Sequence, residues 1–187
     1  LPVATVELKH HLNGQSVDHA IAQYQNDRDP RELLFRRTLV HFAVDTRLAY
    51  MTTRLEGTSS AFLPFNQGSN PGELSCGKGN PPNPDGYATA YLWERVWAHH
   101  GWLDILGRFV EALGGPTGRR SAERTVIFPR FHQWDAVSML AADAQRNGAG
   151  KAYLIQHSAG SGKSNSIGWL AHRLSLLHDD ADDKVFD

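Results

Sequence analysis

The sequence has 187 residues, 41% of them hydrophobic, which is enough for one ordinary core or two small ones. Lysine and arginine number 19 against 20 aspartates and glutamates, so the net charge of −1 leaves only local patches for nucleic-acid binding. The single cysteine, Cys76, excludes a disulfide framework. Neither a leader nor a long apolar run is visible, so we expect a cytoplasmic protein that does not interact with a membrane.

The first predicted element is a strand over residues 3–9. Its alternation places Val6 and Leu8 toward a core and Glu7 and Lys9 together on the opposite face. A metal-dependent phosphodiesterase needs such a Glu-x-Lys pair, with Glu7 holding a hard cation through oxygen and Lys9 orienting or activating the attacking water. An ordinary solvated strand face carries such pairs more often, so this feature alone does not identify a nuclease.

Two helices are predicted after this strand. Ser16 caps the first, and Asp29-Pro30-Arg31-Glu32 combines a cap, a first-turn proline and a capping-box glutamate at the start of the second. Four arginines cluster here, namely Arg28, Arg31, Arg36 and Arg37. This cluster indicates either contacts with a nucleic-acid backbone or a solvated helix face.

The remainder of the first 113 residues predicts a small mixed α/β domain. Residues 39–44 and 48–53 are predicted to form a strand hairpin, and residues 61–65 a further short strand. Residues 66–86 are rich in Gly, Pro, Asn and Ser and are predicted to be a loop. The helical pattern over residues 91–113 carries an aromatic stripe, which we interpret as core rather than as a base-stacking surface.

The ten histidines include two adjacent pairs, His10-His11 and His99-His100. Such pairs invite a metal-site interpretation. Neither pair has further Cys or His at zinc-ligand spacing. Both pairs are therefore predicted to be surface or packing residues.

Residues 114–124 begin with Gly-Gly-Pro, break the helical pattern and are predicted to link the first domain to a second unit over residues 125–187. In this unit, residues 128–133 precede a predicted helix that ends near Asn147. An amide side chain can pair with an adenine edge through one donor and one acceptor, so Gln133 is a candidate adenine-binding residue.

The most specific motif is Gly160-Ser161-Gly162-Lys163-Ser164, which follows a predicted apolar strand over residues 153–155 and precedes a predicted helix. Glycines let backbone N–H groups converge on a phosphate at the positive end of a helix. Lys163 would reach the β- and γ-phosphates, and the Ser164 hydroxyl would ligate Mg²⁺, as in the phosphate-binding loop of nucleoside-triphosphatases.

The full pattern of this loop has a glycine where this chain has His157. The shorter helicase-type form, Gly-Ser-Gly-Lys-Ser preceded by small residues, tolerates this change. A glycine-rich turn that binds nothing would explain neither the Gly-Lys-Ser order nor the flanking strand and helix patterns.

With these residues identified, the chain resembles the restriction (motor) subunit of type I restriction-modification enzymes over its whole length. The resemblance depends on five separated segments in the right order, residues 6–9, 27–34, 39–45, 79–84 and 155–163. It implies an α/β protein with a restriction-endonuclease-like, mixed-sheet nuclease domain over residues 1–113. The beginning of a P-loop (RecA-like) superfamily 2 motor domain would follow.

The resemblance also implies roles for individual residues. Glu7 would be a metal ligand, Lys9 the catalytic lysine, and Arg130 with Gln133 the adenine-contacting motif. The nucleotide-binding loop would comprise Ser158, Ala159, Gly160, Ser161, Gly162, Lys163 and Ser164. The implied cofactors are ATP and Mg²⁺, with Glu7 and Ser164 as Mg²⁺ ligands, and the implied partners are duplex DNA, a methyltransferase subunit and a DNA-specificity subunit.

Three features depart from the family pattern. The metal-binding Asp is expected on a strand before Leu1, and the motor Asp-Glu motif is expected beyond Asp187. We therefore expect a fragment that neither cuts DNA nor hydrolyses ATP by itself. Members also often carry a Gln four residues before a Tyr in the helix after Glu-x-Lys, whereas here Tyr24 has Ala20 at that position and Gln23 beside it.

The leading hypothesis is a type I site-specific deoxyribonuclease whose parent protein hydrolyses ATP to translocate duplex DNA and cleaves unmodified DNA with Mg²⁺. The alternative is a DNA-dependent ATPase or helicase whose N-terminal domain is a non-catalytic DNA-binding module, with Glu7 and Lys9 as an ordinary surface pair. A third hypothesis is a structural piece with neither activity. Metal-dependent cutting by the complete protein distinguishes the first two.

Overall fold

The computed structural model describes residues 2–69, 78–113, 125–179 and 182–186. The main sheet has the order β1-β2-β3-β4, formed by Ala4–Leu8, Val40–Val44, Ala49–Thr52 and Leu63–Pro64. β1 pairs with β2 in parallel and the other neighbours are antiparallel, so the sheet is mixed, as predicted. A second, two-stranded sheet joins β5 to β6, formed by Glu111–Leu113 and Thr125–Ile127.

The described part of the chain contains five α-helices. They are α1 (Val17–Asn26), α2 (Leu33–Arg37), α3 (His99–Arg108), α4 (Phe131–Asn147) and α5 (Lys163–Ser175). A 3₁₀ turn covers His11–Asn13, and a π-helical segment covers Leu92–Val96. These elements confirm the α/β class. Within the described ranges, every helix is too short or too polar to pass through a bilayer.

Asp45 organises the turn between β2 and β3. Its Oδ1 accepts from the backbone N–H groups of Arg47 and Leu48, both at 2.7 Å. Its Oδ2 accepts from the N–H of Val17 at 2.8 Å, in the first turn of α1. The predicted hairpin is therefore a tight turn closed by an aspartate, and the same side chain ties α1 to the sheet.

One hydrophobic core joins residues from both sides of the predicted link. Phe42 and Phe65 from the main sheet pack with Phe128, Phe131 and Trp134 from the segment around β6 and α4. The rings of Phe42 and Phe128 lie 6.0 Å apart, and those of Phe65 and Phe131 lie 6.1 Å apart. The described residues thus share this core, and the domain boundary itself stays a prediction because residues 114–124 lie outside the described part.

A smaller cluster lies on the other face of the main sheet, beneath α1. Val17, Ala20 and Tyr24 of this helix pack against Ala43 and Leu55. This is the apolar helix face that the sequence predicts after the Ser16 cap, which the structure also shows. Thr5 and Glu7, on the same face of β1, are partly buried.

The prediction for the two faces of β1 is wrong. Val6 and Leu8, predicted to face a core, are 37% and 65% exposed. β1 lies at the edge of the sheet, and on that face the main core reaches only Ala4 of this strand. The face that carries Glu7 is the more buried one because α1 packs on it.

The helical pattern over residues 91–113 is interrupted. α3 ends at Arg108, and residues 111–113 pair with β6, so the predicted helix to Leu113 is wrong at its end. At its start, a Cβ on Gly101 would lie 2.0 Å from the Arg95 carbonyl oxygen, so glycine permits α3 to pack directly against the π-helical segment. The core interpretation of the aromatic stripe is confirmed for Tyr91 and Phe109, which are buried, but it is wrong for Trp93, which is 45% exposed.

Three boundaries also differ from prediction. α2 begins at Leu33 rather than at the proline, because the Asp29 carboxylate closes a turn onto the N–H of Arg31 at 2.9 Å. α4 begins at Phe131 and therefore includes Gln133. Residues 153–155 form no strand, since no described strand lies beside them, and Leu154 is 90% exposed.

The loop predicted over residues 66–86 is confirmed where it is described. Residues 66–69 and 78–86 form neither helix nor strand. Cys76 lies outside the described residues, together with residues 70–77.

Candidate functional site

The glycine loop turns twice before α5 begins. Gly160 and Gly162 have φ angles of 72° and 80°, in the left-handed region that favours glycine, and Lys163 is the first residue of α5. Among the described residues, the backbone N–H groups of Gly162, Lys163 and Ser164 have no acceptor. Free N–H groups at the positive end of a helix form an arrangement that binds anions such as phosphate.

Lys163 and Ser164 are the first two residues of α5, and their predicted contacts with phosphate and Mg²⁺ stay predictions. The Lys163 ammonium folds over the loop and donates to the carbonyl oxygens of Ser158 at 3.0 Å and His157 at 3.1 Å. A phosphate would replace these neutral acceptors with charged ones. The exposed Ser164 hydroxyl has no partner in the described part, so its oxygen fits a Mg²⁺ ion that accompanies a triphosphate. Ala159 forms part of the exposed outer turn.

Three side chains at the start of α4 hold three successive carbonyl oxygens of the loop. Arg130 donates to the Gly160 carbonyl at 3.0 Å, and His132 donates to that of Ser161 at 3.0 Å. Gln133 donates to the carbonyl of Gly162 at 2.9 Å. A trans peptide directs its C=O and the following N–H to opposite sides. Holding these carbonyls toward α4 therefore turns the next N–H groups away from α4.

The Gln133 amide has both of its groups in use. Its nitrogen donates to Gly162, and its oxygen accepts from the backbone N–H of Arg130 at 2.9 Å. The residue is 4% exposed. Its burial leaves the amide no open face for an adenine edge, so the structure places Gln133 as a support of the loop, and the adenine contact stays a prediction.

Sequence reasoning overlooked His132. Its ring meets that of His157 edge to face, with centroids 4.7 Å apart and an angle of 81° between the planes. Burial lowers the pKa of His132, and the positive charge of Arg130 adds to this effect. Burial also lowers the pKa of His157, helped by the charges of Lys163 and Arg130. Both rings are therefore neutral at pH 7. The signal that could have identified His132 from the sequence is its position next to Gln133, which was already a candidate site residue.

The second candidate site lies between β1 and α1. Arg28 donates from Nε to the Glu7 Oε1 at 2.7 Å and forms an ion pair with the same carboxylate. The Lys9 ammonium donates to the Gln23 side-chain oxygen. Glu7 and Lys9 therefore share a face, as predicted, but each is paired with a residue in or just after α1. The structure brings Gln23, which the sequence left unassigned, to Lys9.

A cavity of about 310 Å³ lies beside Glu7 and is also lined by Asp27 and Glu32. Below it, the Tyr24 hydroxyl lies 2.8 Å from the Thr5 Oγ1, which lies 2.7 Å from the His41 Nδ1. Burial raises the pKa of Tyr24 to about 12 and lowers the pKa of His41 to about 4. Both groups are therefore neutral at pH 7.

A metal ion at Glu7 does not fit the described residues alone. No group of three or more His, Cys, Asp or Glu within residues 2–69, 78–113, 125–179 and 182–186 is placed to hold one. The Arg28 guanidinium also occupies the carboxylate that a hard cation would need.

The other clustered arginines differ in their pairing. Arg31 pairs with Asp29 at 3.0 Å, whereas Arg36 and Arg37 have no ion-pair partner among the described residues. Both interpretations of the cluster, nucleic-acid backbone contact and solvated helix face, stay open.

Comparison with known proteins finds no matching family model, and no significant match among curated proteins or solved structures. The ligands proposed below for the two candidate sites are therefore argued from the geometry of each site and from the family resemblance of the sequence.

Proposed function

We propose that this chain binds ATP with Mg²⁺ and is part of the restriction subunit of a type I restriction enzyme. In such an enzyme, ATP-dependent translocation of duplex DNA accompanies cleavage of unmodified DNA. The observation that carries the proposal is the loop at the start of α5. The loop combines free N–H groups with Lys163 and Ser164, and three side chains at the start of α4 hold its carbonyl groups.

The proposed binding of ATP follows from this geometry. The N–H groups of Gly162, Lys163 and Ser164 would donate to phosphate oxygens, and the Lys163 ammonium would leave its two carbonyl partners for the β- and γ-phosphates. The Ser164 hydroxyl would ligate the Mg²⁺ that accompanies the nucleotide. Mg²⁺ supplies charge neutralisation during phosphoryl transfer.

The proposed nuclease role of Glu7 and Lys9 rests on the family resemblance and on their shared, partly buried face beside a cavity. For Glu7 to ligate a cation, Arg28 must leave its carboxylate, and further ligands must join it. Gln23 holds the Lys9 ammonium in place. The methyltransferase and specificity subunits are proposed partners on the resemblance alone.

A titration with ATP in the presence of Mg²⁺ tests the nucleotide site. Lys163→Ala removes the charged donor and is expected to weaken ATP binding roughly 10- to 100-fold, the effect of losing a charge-assisted hydrogen bond. Lys151→Ala is the matched control, because Lys151 is an exposed lysine near the loop that pairs with Asp143 instead. Absence of ATP binding, or an equal loss in both variants, would contradict the proposal.

A second candidate function is a DNA-dependent ATPase with a non-catalytic N-terminal binding module. The Glu7–Arg28 ion pair favours it, because a carboxylate oxygen held by an arginine is not free to ligate a metal ion. Lys9→Ala in the complete enzyme distinguishes the two. For the nuclease, this change abolishes cutting and spares ATP hydrolysis. Metal-dependent cutting that survives Lys9→Ala, or equal loss of both activities, would contradict the division of labour.

A further inference from the structure

Four aromatic rings form a row on the surface, beginning with the two histidines that come just after β1. His10 stacks on His11 with centroids 4.8 Å apart, Tyr87 meets His10 at 5.6 Å, and Trp93 meets Tyr87 at 6.4 Å. The two largest, Tyr87 and Trp93, are 46% and 45% exposed. Neither belongs to the two hydrophobic clusters of the described residues. We call His10, His11, Tyr87 and Trp93 the aromatic row.

A cavity of about 590 Å³ lies beside the aromatic row. Its walls include His11, Arg47, Lys78, Asn80 and Tyr87, and none of the described residues that line it is acidic. Arg47 and Lys78 have no ion-pair partner among the described residues. Asp45 lies two residues before Arg47, but its carboxylate accepts hydrogen bonds from three backbone N–H groups and not from the Arg47 side chain. Two cationic residues, Arg47 and Lys78, and two aromatic residues, His11 and Tyr87, therefore line the same cavity.

The wall of this cavity is a built structure. The Asn80 amide nitrogen donates to the Arg47 carbonyl oxygen at 2.8 Å and to the Asn66 side-chain oxygen at 2.9 Å. Its oxygen accepts from the N–H of Gln67 at 2.9 Å. The His10 Nε2 and the Tyr87 hydroxyl share a hydrogen bond of 3.1 Å, which ties the aromatic row to the same wall. The Tyr87 ring and the backbone that carries Arg47 are thus held in place before any ligand arrives.

We propose that the aromatic row and this cavity bind single-stranded DNA. Exposed rings stack on the faces of unpaired bases of any sequence, and nearby cations pair with the phosphates between them. In a duplex the base faces are already stacked on one another, so the row gains little from double-stranded DNA. The identification of the strand as DNA rests on the proposed function. The aromatic row begins at His10, the residue after Lys9, which is the lysine proposed to act in DNA cleavage.

Fluorescence anisotropy of a labelled oligothymidylate of about 15 nucleotides tests this inference in the full 187-residue chain, without ATP or Mg²⁺. We expect tighter binding than to a duplex of the same length. Tyr87→Ala and Trp93→Ala should each weaken binding about fivefold or more, the range for loss of one stacked base. Tyr87→Phe keeps the ring and should bind nearly as the unchanged chain does.

Matched controls lie elsewhere on the surface. Tyr153→Ala removes an equally exposed tyrosine, 48% exposed, and Arg146→Ala removes an exposed arginine, and neither should change the affinity. Arg47→Ala should lower the slope of log affinity against log salt concentration by about 0.7, the value for one phosphate contact on a single strand. Thermal melting of each variant shows whether it folds.

The outcomes separate this inference from the ATP proposal. Preference for the duplex, or single-strand affinity that Tyr87→Ala and Trp93→Ala leave unchanged, overturns the inference whatever the ATP titration shows. If the chain binds the oligonucleotide through these rings but does not bind ATP, the inference holds and the nucleotide site fails. Preference for an RNA strand of equal length over DNA would overturn the assignment of the ligand as DNA.

Discussion

The side-chain amide of Gln133 donates to the carbonyl oxygen of Gly162 at 2.9 Å, across 29 residues of sequence. That carbonyl belongs to the same peptide group as the N–H of Lys163, one of the free donors at the start of α5. Because C=O and N–H of a trans peptide point in opposite directions, the bond to Gln133 aims the Lys163 N–H away from α4. The geometry of the loop thus depends on a side chain from another helix.

Gly162→Ala should disrupt both the turn and this contact. The added Cβ would lie 2.5 Å from the Gln133 Nε2, and the φ of 80° is costly for any other residue. We expect a loss of about 1–3 kcal/mol of unfolding free energy and at least roughly tenfold weaker ATP binding. Gly168→Ala is the control, because a Cβ there meets nothing within 4 Å, and it should stabilise α5 slightly. Equal behaviour of the two variants in urea unfolding and ATP titration would contradict the strain at Gly162.

Gln133→Ala distinguishes support of the loop from recognition of adenine. Its two hydrogen bonds go to the chain itself, so their loss should weaken ATP and GTP binding by the same factor. We also expect about 1–3 kcal/mol less stability, since the Gly162 carbonyl loses a buried partner. Parallel titrations with the two nucleotides measure the effect. A loss confined to ATP would show that Gln133 reads the base.

The buried His41 should make stability depend on pH. Its folded pKa of about 4 lies below its ordinary value of 6.5, so the unfolded chain takes up a proton that the folded chain refuses. The unfolding free energy should therefore fall as the pH drops from about 6.5 to about 4, by an amount of order 3 kcal/mol once both pKa values are passed. Above pH 6.5 this histidine contributes no pH dependence.

Urea unfolding at several pH values between 6.5 and 4.5 measures this slope. His41→Asn keeps a polar partner for Thr5 but cannot titrate, so its slope should be shallower than that of the unchanged chain. The difference between the two slopes removes the contribution of carboxylates common to both. Identical slopes would show that His41 accepts a proton in the folded state as readily as in the unfolded state.

The Glu7–Arg28 ion pair should be coupled more strongly than an exposed pair. A double-mutant cycle with Glu7→Gln and Arg28→Ala is expected to give about 1 kcal/mol, because the carboxylate is partly buried beneath α1. The control cycle uses Asp29 and Arg31, which pair at 3.0 Å but are largely exposed, and it should give close to zero. Similar coupling in both cycles would mean that the solvent screens Glu7 as fully as Asp29.

Local patterns were predicted well because short-range chemistry determines them. The Ser16 cap, the Asp45 turn and the start of α5 after Gly162 each depend on neighbouring residues, and the structure shows all three. The strand over residues 153–155 was not predicted correctly, because an apolar run becomes a strand only when another strand pairs with it.

Alternation along β1 showed that Glu7 and Lys9 share a face, since successive side chains of a strand point to opposite sides. It could not show which face is covered, because that depends on where α1 packs. For this reason the exposure of Val6 and Leu8 was missed. The partners Arg28 and Gln23 were missed for the same reason.

The sequence by itself determined the glycine loop before α5, because glycine at a left-handed turn followed by lysine and serine at a helix start is a local arrangement of the backbone. Only the tertiary structure decided how that loop is held and where Gln133 points. The packing of α4 against α5 brings together residues about 30 apart in the chain. The same is true of Glu7 and Arg28, since a contact between distant residues depends on the packing of whole elements and not on their spacing.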